Sequence, residues 1–139
     1  MERDQIQRGR YAISLEKTIQ GHYHRLKGEV EDFQEKCLRV TPGRSVPPDI
    51  INQIRESYKR IRDRLTEIRS IQQLLQTKYR QFYHRDPIRD KEITEFEFTS
   101  KNVYSKFEFT LKEIEAKKKM ERERLAQMGH KNEPSGGSY

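Results

Sequence analysis

The residue types that most often bind metal ions are few in this sequence and poorly spaced for that task. His22 and His24 are two residues apart, so on a helix they would face different sides, whereas a helical metal pair needs a spacing of three or four residues. His84 and His130 stand alone near the ends of segments. The sequence therefore predicts no metal site and no bound cofactor.

Nucleophilic and acid–base chemistry is equally poorly supported. Cys37 is the single cysteine, and it lies at an apolar position of a helical pattern, which predicts a buried and inert thiol. The sequence contains no Ser-His-Asp pattern, phosphate-binding loop or dinucleotide motif. We therefore predict no catalytic residues and a protein that is not an enzyme. A lone cysteine forms no internal disulfide, so we expect an intracellular and cytoplasmic chain.

Basic residues are concentrated in the middle of the chain. The formal net charge is +7, and residues 41–91 hold 12 basic and 6 acidic groups. Arg62, Arg64 and Arg69 flank an apolar seam, which allows two interpretations. They cover the core and pair with acids of neighbouring helices, or they bind nucleic acid or an acidic membrane. No nucleic-acid-binding motif accompanies them, so we prefer the first interpretation.

Proline and glycine divide the chain into three segments that we predict to be helices, at about 3–40, 48–85 and 88–128. A tail at 129–139 lacks apolar periodicity and is predicted to be mobile. The middle segment has the clearest seam, with apolar residues spaced alternately by three and four, which predicts a helix packed along one face. Its apolar members are Ile51, Ile54, Tyr58, Ile61, Leu65, Ile68, Leu75, Tyr79 and Phe82, and Gln72, between Ile68 and Leu75, is its one polar member.

The third segment contains the tetrapeptide Phe-Glu-Phe-Thr twice, starting at Phe96 and at Phe107. Eleven residues make three helical turns, so the two copies would lie on one helix face. The same residues also alternate between apolar and polar, so a hairpin with Asn102 in its turn is an alternative over 93–111. In a helix, Phe98 and Phe109 point away from the core. If they are exposed, they mark a surface for a partner protein.

The composition favours a long, thin helical assembly. Only 32% of the residues are hydrophobic and 37% are charged, which excludes a thick core. We predict one elongated all-α domain over 1–128, as an up-down-up antiparallel bundle. Two alternatives are also compatible with the sequence. The first two helices could form a coiled-coil hairpin whose third helix binds a partner, or the chain could self-associate through the same seams. No apolar run is long enough to span a membrane.

Two stretches give the chain a resemblance to a known family. The basic, Ile-rich second segment INQIRESYKRIRDRLTEIRSIQQLL and the end of the third, KKKMERERLAQ, resemble the N-terminal three-helix Habc domain of syntaxins, over residues 10–126. The resemblance implies a regulatory docking domain in membrane traffic that binds partner proteins through helix faces and grooves. From the residues themselves, the sequence predicts a helical adaptor or scaffold module.

Overall fold

A computed structural model of the protein describes residues 2–132, with side chains described for residues 2–129. Three helices make up the described chain: α1 at Glu2–Leu38, α2 at Pro48–Lys78 and α3 at Pro87–Asn132. A short 3₁₀ turn, Arg80–Phe82, follows α2. The described residues form no β-strand. The prediction of an all-α bundle of three long helices is therefore confirmed, and the hairpin alternative for residues 93–111 is wrong.

The second helix ends earlier than the sequence pattern predicts. It was expected to continue to about residue 85, but it ends at Lys78. Tyr79 then packs its ring against Tyr11 of α1 with centroids 5.3 Å apart. Phe82 lies over Gly9, where an added Cβ would be 3.4 Å from the Phe82 ring. Because these aromatic rings pack on α1, the chain leaves the helical conformation after Lys78.

The third helix continues beyond the predicted end of the domain. The mobile tail was expected to begin at Gly129, but α3 runs through this residue to Asn132. Glycine in a helix costs roughly 1 kcal/mol relative to alanine and does not by itself end the helix. The remainder of the predicted tail, residues 133–139, lies outside the described residues.

The helices are arranged up-down-up, with α1 and α3 parallel and α2 antiparallel to both. Near its start α3 contacts the middle of α1, where Tyr23 donates a hydrogen bond to Glu92. Further along, the ring of Phe33 in α1 stacks on Tyr104 of α3 at 6.4 Å. The order is reversed against α2, whose first turns reach Glu108 late in α3. All three helices therefore share one core within a single chain.

The core is an apolar layer along the bundle axis. Its buried members are Ala12, Ile19, Leu26, Val30 and Phe33 from α1, Ile54, Ile61, Leu65, Ile68, Ile71 and Leu75 from α2, Ile93, Phe107, Leu111 and Ile114 from α3, and Val40 from the loop that follows α1. Each fully buried Ile or Leu side chain contributes roughly 1.5–3 kcal/mol. The predicted seam of α2 lies in this layer, and its remaining members, Ile51, Tyr58, Tyr79 and Phe82, are partly buried against it.

Candidate interaction surface

Large apolar side chains form an exposed line along the outer face of α3. Phe98 is 67% exposed, Phe109 is 63% exposed and Met120 is 70% exposed. Successive members are eleven residues apart, which places them on one helix face about 16 Å apart at ~1.5 Å per residue. We call Phe98, Phe109 and Met120 the outer stripe. In contrast, Phe107 is buried and Phe96 is partly buried against the core.

Uncharged residues separate the two phenylalanines of the outer stripe, whereas the charged Glu113 also lies between the second phenylalanine and Met120. Asn102 and Ser105 lie between the two phenylalanines, and Ala116 precedes Met120 by one turn; all three are exposed. Single exposed apolar residues are common on protein surfaces, but an ordered line of them marks a surface for association. The stripe can therefore insert two aromatic side chains into a partner without moving a charged group from its centre.

The three predicted arginines do not form one strip. Arg64 points toward α1, where its guanidinium donates to the Glu29 carboxylate at 2.6–3.1 Å. Its Nη1 atom is also 2.8 Å from Nδ1 of His22. Burial, together with the charge of Arg64, lowers the pKa of His22. Arg64 therefore joins α2 to α1, as the core-covering interpretation of this residue predicts.

The structure brings Arg62 and Arg69 together on the opposite side of α2. With Lys101 they line an open groove of about 530 Å³ between α2 and α3. Arg69 donates to Gln72 at 3.1 Å and lies 3.5 Å from the Glu97 carboxylate. The guanidinium of Arg62 lies 5.9 Å above the ring of Tyr58. The groove is basic, but one of its arginines already has an acidic partner.

Sequence reasoning missed an apolar groove at the end of the bundle where α1 stops. Its volume is about 560 Å³, and it is lined by residues from the end of α1, the following loop and α3, among them Cys37, Leu38, Val40 and Phe107. Leu38 is 79% exposed. Burial raises the pKa of Cys37 to about 11, but the side chain is only partly buried, so the predicted full burial of this thiol is wrong. No periodic signal marks the groove, because it forms where a helix end meets the side of α3.

A buried polar cluster at the start of α3 was also missed. Arg89, whose side chain is only 5% exposed, donates to Glu16 of α1 at 3.1 Å. Gln72 of α2 donates to Asp90 at 2.9 Å, and Arg85 donates to the other oxygen of the same carboxylate at 2.8 Å. These contacts hold the three helices in register. In the sequence, nothing distinguishes Arg89 from the exposed charged residues around it.

The described residues give no indication of metal chemistry or of a membrane span. Within this range, no group of three His, Cys, Asp or Glu side chains could hold a metal ion. None of the described helices is long and apolar enough to cross a membrane.

Comparisons with family models, with curated proteins and with solved structures found no match. Inference about function therefore depends on the surfaces described above. The resemblance to the syntaxin Habc domain stays a prediction.

Proposed function

We propose that this chain is a non-catalytic helical adaptor that binds a partner protein through the outer stripe of α3. The observation that supports this function is the exposure of Phe98 and Phe109 on a helix whose inner face is already buried. Because the bundle closes its core within one chain, these side chains are not needed for folding. They remain available to a partner.

The spacing and size of the outer stripe define the kind of partner. Covering a phenylalanine side chain contributes roughly 1.5–3 kcal/mol, and a few such anchors dominate the affinity of most protein interfaces. Phe98 and Phe109 require two apolar pockets about 16 Å apart along one axis, as a groove between two partner helices provides. The resemblance to the syntaxin domain makes cytoplasmic proteins of membrane traffic the first partners to test.

The first experiment compares Phe98→Ser/Phe109→Ser with the matched control Ile6→Ser/Ile13→Ser. The control residues are 55% and 57% exposed on α1, so both double variants remove two exposed apolar side chains. We expect both to unfold at the wild-type temperature, because neither change affects the core. Only the α3 variant should lose its partners in affinity purification from cells.

A photo-crosslinking amino acid identifies the contact directly. Placed at position 98 it should form a discrete adduct with the partner, whereas at position 13 it should not. Equal retention of partners by both double variants would refute the proposal. Loss of folding in the α3 variant would show instead that its phenylalanines belong to the core.

A second candidate function is binding of nucleic acid or an acidic membrane. The groove lined by Arg62, Arg69 and Lys101 supports it. Binding to phosphates would fall steeply with added salt. We expect Arg62→Glu/Lys101→Glu to abolish such binding, measured with single-stranded RNA and with vesicles containing phosphatidylserine. The control Lys27→Glu, at an exposed position of α1, should retain it. Binding that is unaffected by both changes would exclude this function.

A further inference from the structure

Arginines of α2 face α3 at intervals of seven residues. Arg55 pairs with Glu108 at 3.2 Å, and Arg69 pairs with Glu97 at 3.5 Å. Arg62 lies midway between these two arginines in the sequence, and a spacing of seven residues keeps it on the same side of the helix. Among the described side chains, however, Arg62 forms no ion pair.

The residue of α3 at the level of Arg62 is a second cation. The two helices are antiparallel, so each turn forward along α2 corresponds to one turn back along α3. One turn beyond the first of these ion pairs, the ring of Tyr58 packs on Tyr104 with centroids 4.0 Å apart. The next turn brings Arg62 level with Lys101. Two positive charges therefore stand where the neighbouring levels hold ion pairs.

These two cations border the open groove of about 530 Å³ between α2 and α3. The lining contains Arg62, Arg69 and Lys101 but a single carboxylate, that of Glu97, which already pairs with Arg69. A surplus of positive charge therefore remains at Arg62 and Lys101, and both side chains are exposed. Like charges repel, and places where a sequence breaks such a local rule are expected at functional sites.

The surplus charge lies beside the outer stripe. Lys101 follows Phe98 by three residues, so their exposed side chains are neighbours on the surface of α3. A partner helix that covers Phe98 therefore places one of its flanks over the groove. A positive patch on one protein is matched by a negative patch on its partner in most specific interfaces.

We propose that the partner presents an amphipathic helix with an acidic flank. Its apolar face covers Phe98 and Phe109, and an acidic side chain on its flank enters the groove between Arg62 and Lys101. This inference rests on the proposed function, because it names the chemistry of the protein that the outer stripe binds.

The surroundings of the groove favour a side-chain carboxylate over a nucleic-acid backbone. The carboxylates of Glu97 and Glu108 lie on either side of the surplus charge. They repel a continuous line of phosphates that follows the groove, whereas a single acidic side chain reaches Arg62 and Lys101 without contacting them. The neighbouring phenylalanines also require apolar side chains in the same partner.

Synthetic peptides test the proposal with the full chain. Three helical peptides of roughly 20 residues, about 30 Å long, share one stripe of leucines and carry glutamate, glutamine or lysine along both flanks. In isothermal titration calorimetry, we expect the wild type to bind the glutamate peptide at least about tenfold more tightly than the glutamine peptide, and the lysine peptide most weakly. Arg62→Glu/Lys101→Glu should reverse this order, a result that misfolding cannot produce.

The matched control is Lys106→Glu. Lys106 lies three residues before Phe109, as Lys101 lies three residues after Phe98, but it lines the groove on the α1 side of the helix. This variant should retain the preference for the glutamate peptide. Reversal of the order by this change as well would overturn the proposal, because it would show a general attraction to basic surface.

Phe98→Ser/Phe109→Ser tests the proposed function separately and should lose binding of all three peptides. If this variant binds no peptide but the wild type binds all three equally, the outer stripe is a binding surface and the acidic partner is refuted. If the variant binds the glutamate peptide as the wild type does, the proposed function itself fails. Tighter binding of single-stranded RNA than of the glutamate peptide would overturn the proposal and assign the groove to nucleic acid.

Discussion

Replacing Arg89 tests how the bundle tolerates a buried charge. Its side chain is 5% exposed and its Nη1 atom lies 3.1 Å from Oε2 of Glu16, which is 23% exposed. The Nε and Nη2 atoms of Arg89 and the Oε1 atom of Glu16 are buried without a hydrogen-bond partner among the described residues. The charges are therefore compensated by a single contact. Removing either partner leaves the other charge in a poorly hydrated site.

The expected changes in the free energy of unfolding depend on how far the Arg89 and Glu16 side chains are exposed. Breaking a buried pair by removing one partner costs roughly 3–5 kcal/mol. Arg89→Met leaves Glu16, the more exposed partner, and should cost about 3 kcal/mol. Glu16→Leu leaves Arg89, which water reaches less easily, and should cost about 4 kcal/mol. Arg89→Met/Glu16→Leu removes both charges and should fall within about 1 kcal/mol of the wild type, or above it.

Urea unfolding, followed by far-ultraviolet circular dichroism, measures these free energies. The informative result is the order of stability, in which the double variant exceeds both single variants. As a control, Arg39→Met breaks an ion pair with Glu35 whose side chains are 64% and 71% exposed and should cost less than about 1 kcal/mol. If the double variant lost as much free energy of unfolding as the two single variants together, the reasoning would be refuted. That result would show that the two charges do not depend on each other.

Two further predictions concern single positions on α1. An added Cβ at Gly21 or Gly28 meets no atom within 4 Å, so each change to alanine should raise the free energy of unfolding by roughly 0.5–1 kcal/mol, seen as a higher melting temperature. An unchanged or lower melting temperature would contradict this. Cys37, with its pKa raised to about 11 by burial, should react with Ellman's reagent at pH 8 roughly a hundredfold more slowly than the unfolded chain. Equal rates would show an accessible thiol.

The elements of the fold could be predicted because helix formation is local. A helical hydrogen bond joins residues four apart, so the spacing of Ile54, Ile61 and Ile68 already indicates which face of α2 must be buried. The same reasoning placed Phe98 and Phe109 on the solvent side of α3, where both are exposed. Short-range geometry was sufficient in these cases.

The end of α2 and the partners of the arginines depend on contacts between distant parts of the chain. Lys78 ends α2 where the following aromatic rings pack on Tyr11 and Gly9. Arg64 and Arg69, five residues apart, contact different helices.

What the sequence alone determined is the set of three helices, the buried face of α2 and the outward direction of Phe98 and Phe109, because each depends on periodicity within a few turns. The tertiary structure decided the burial of Arg89, the apolar groove beside Leu38 and the length of α3 left without neighbours. Each of these depends on where another helix begins or ends. The spacing of residues along one helix does not indicate that position.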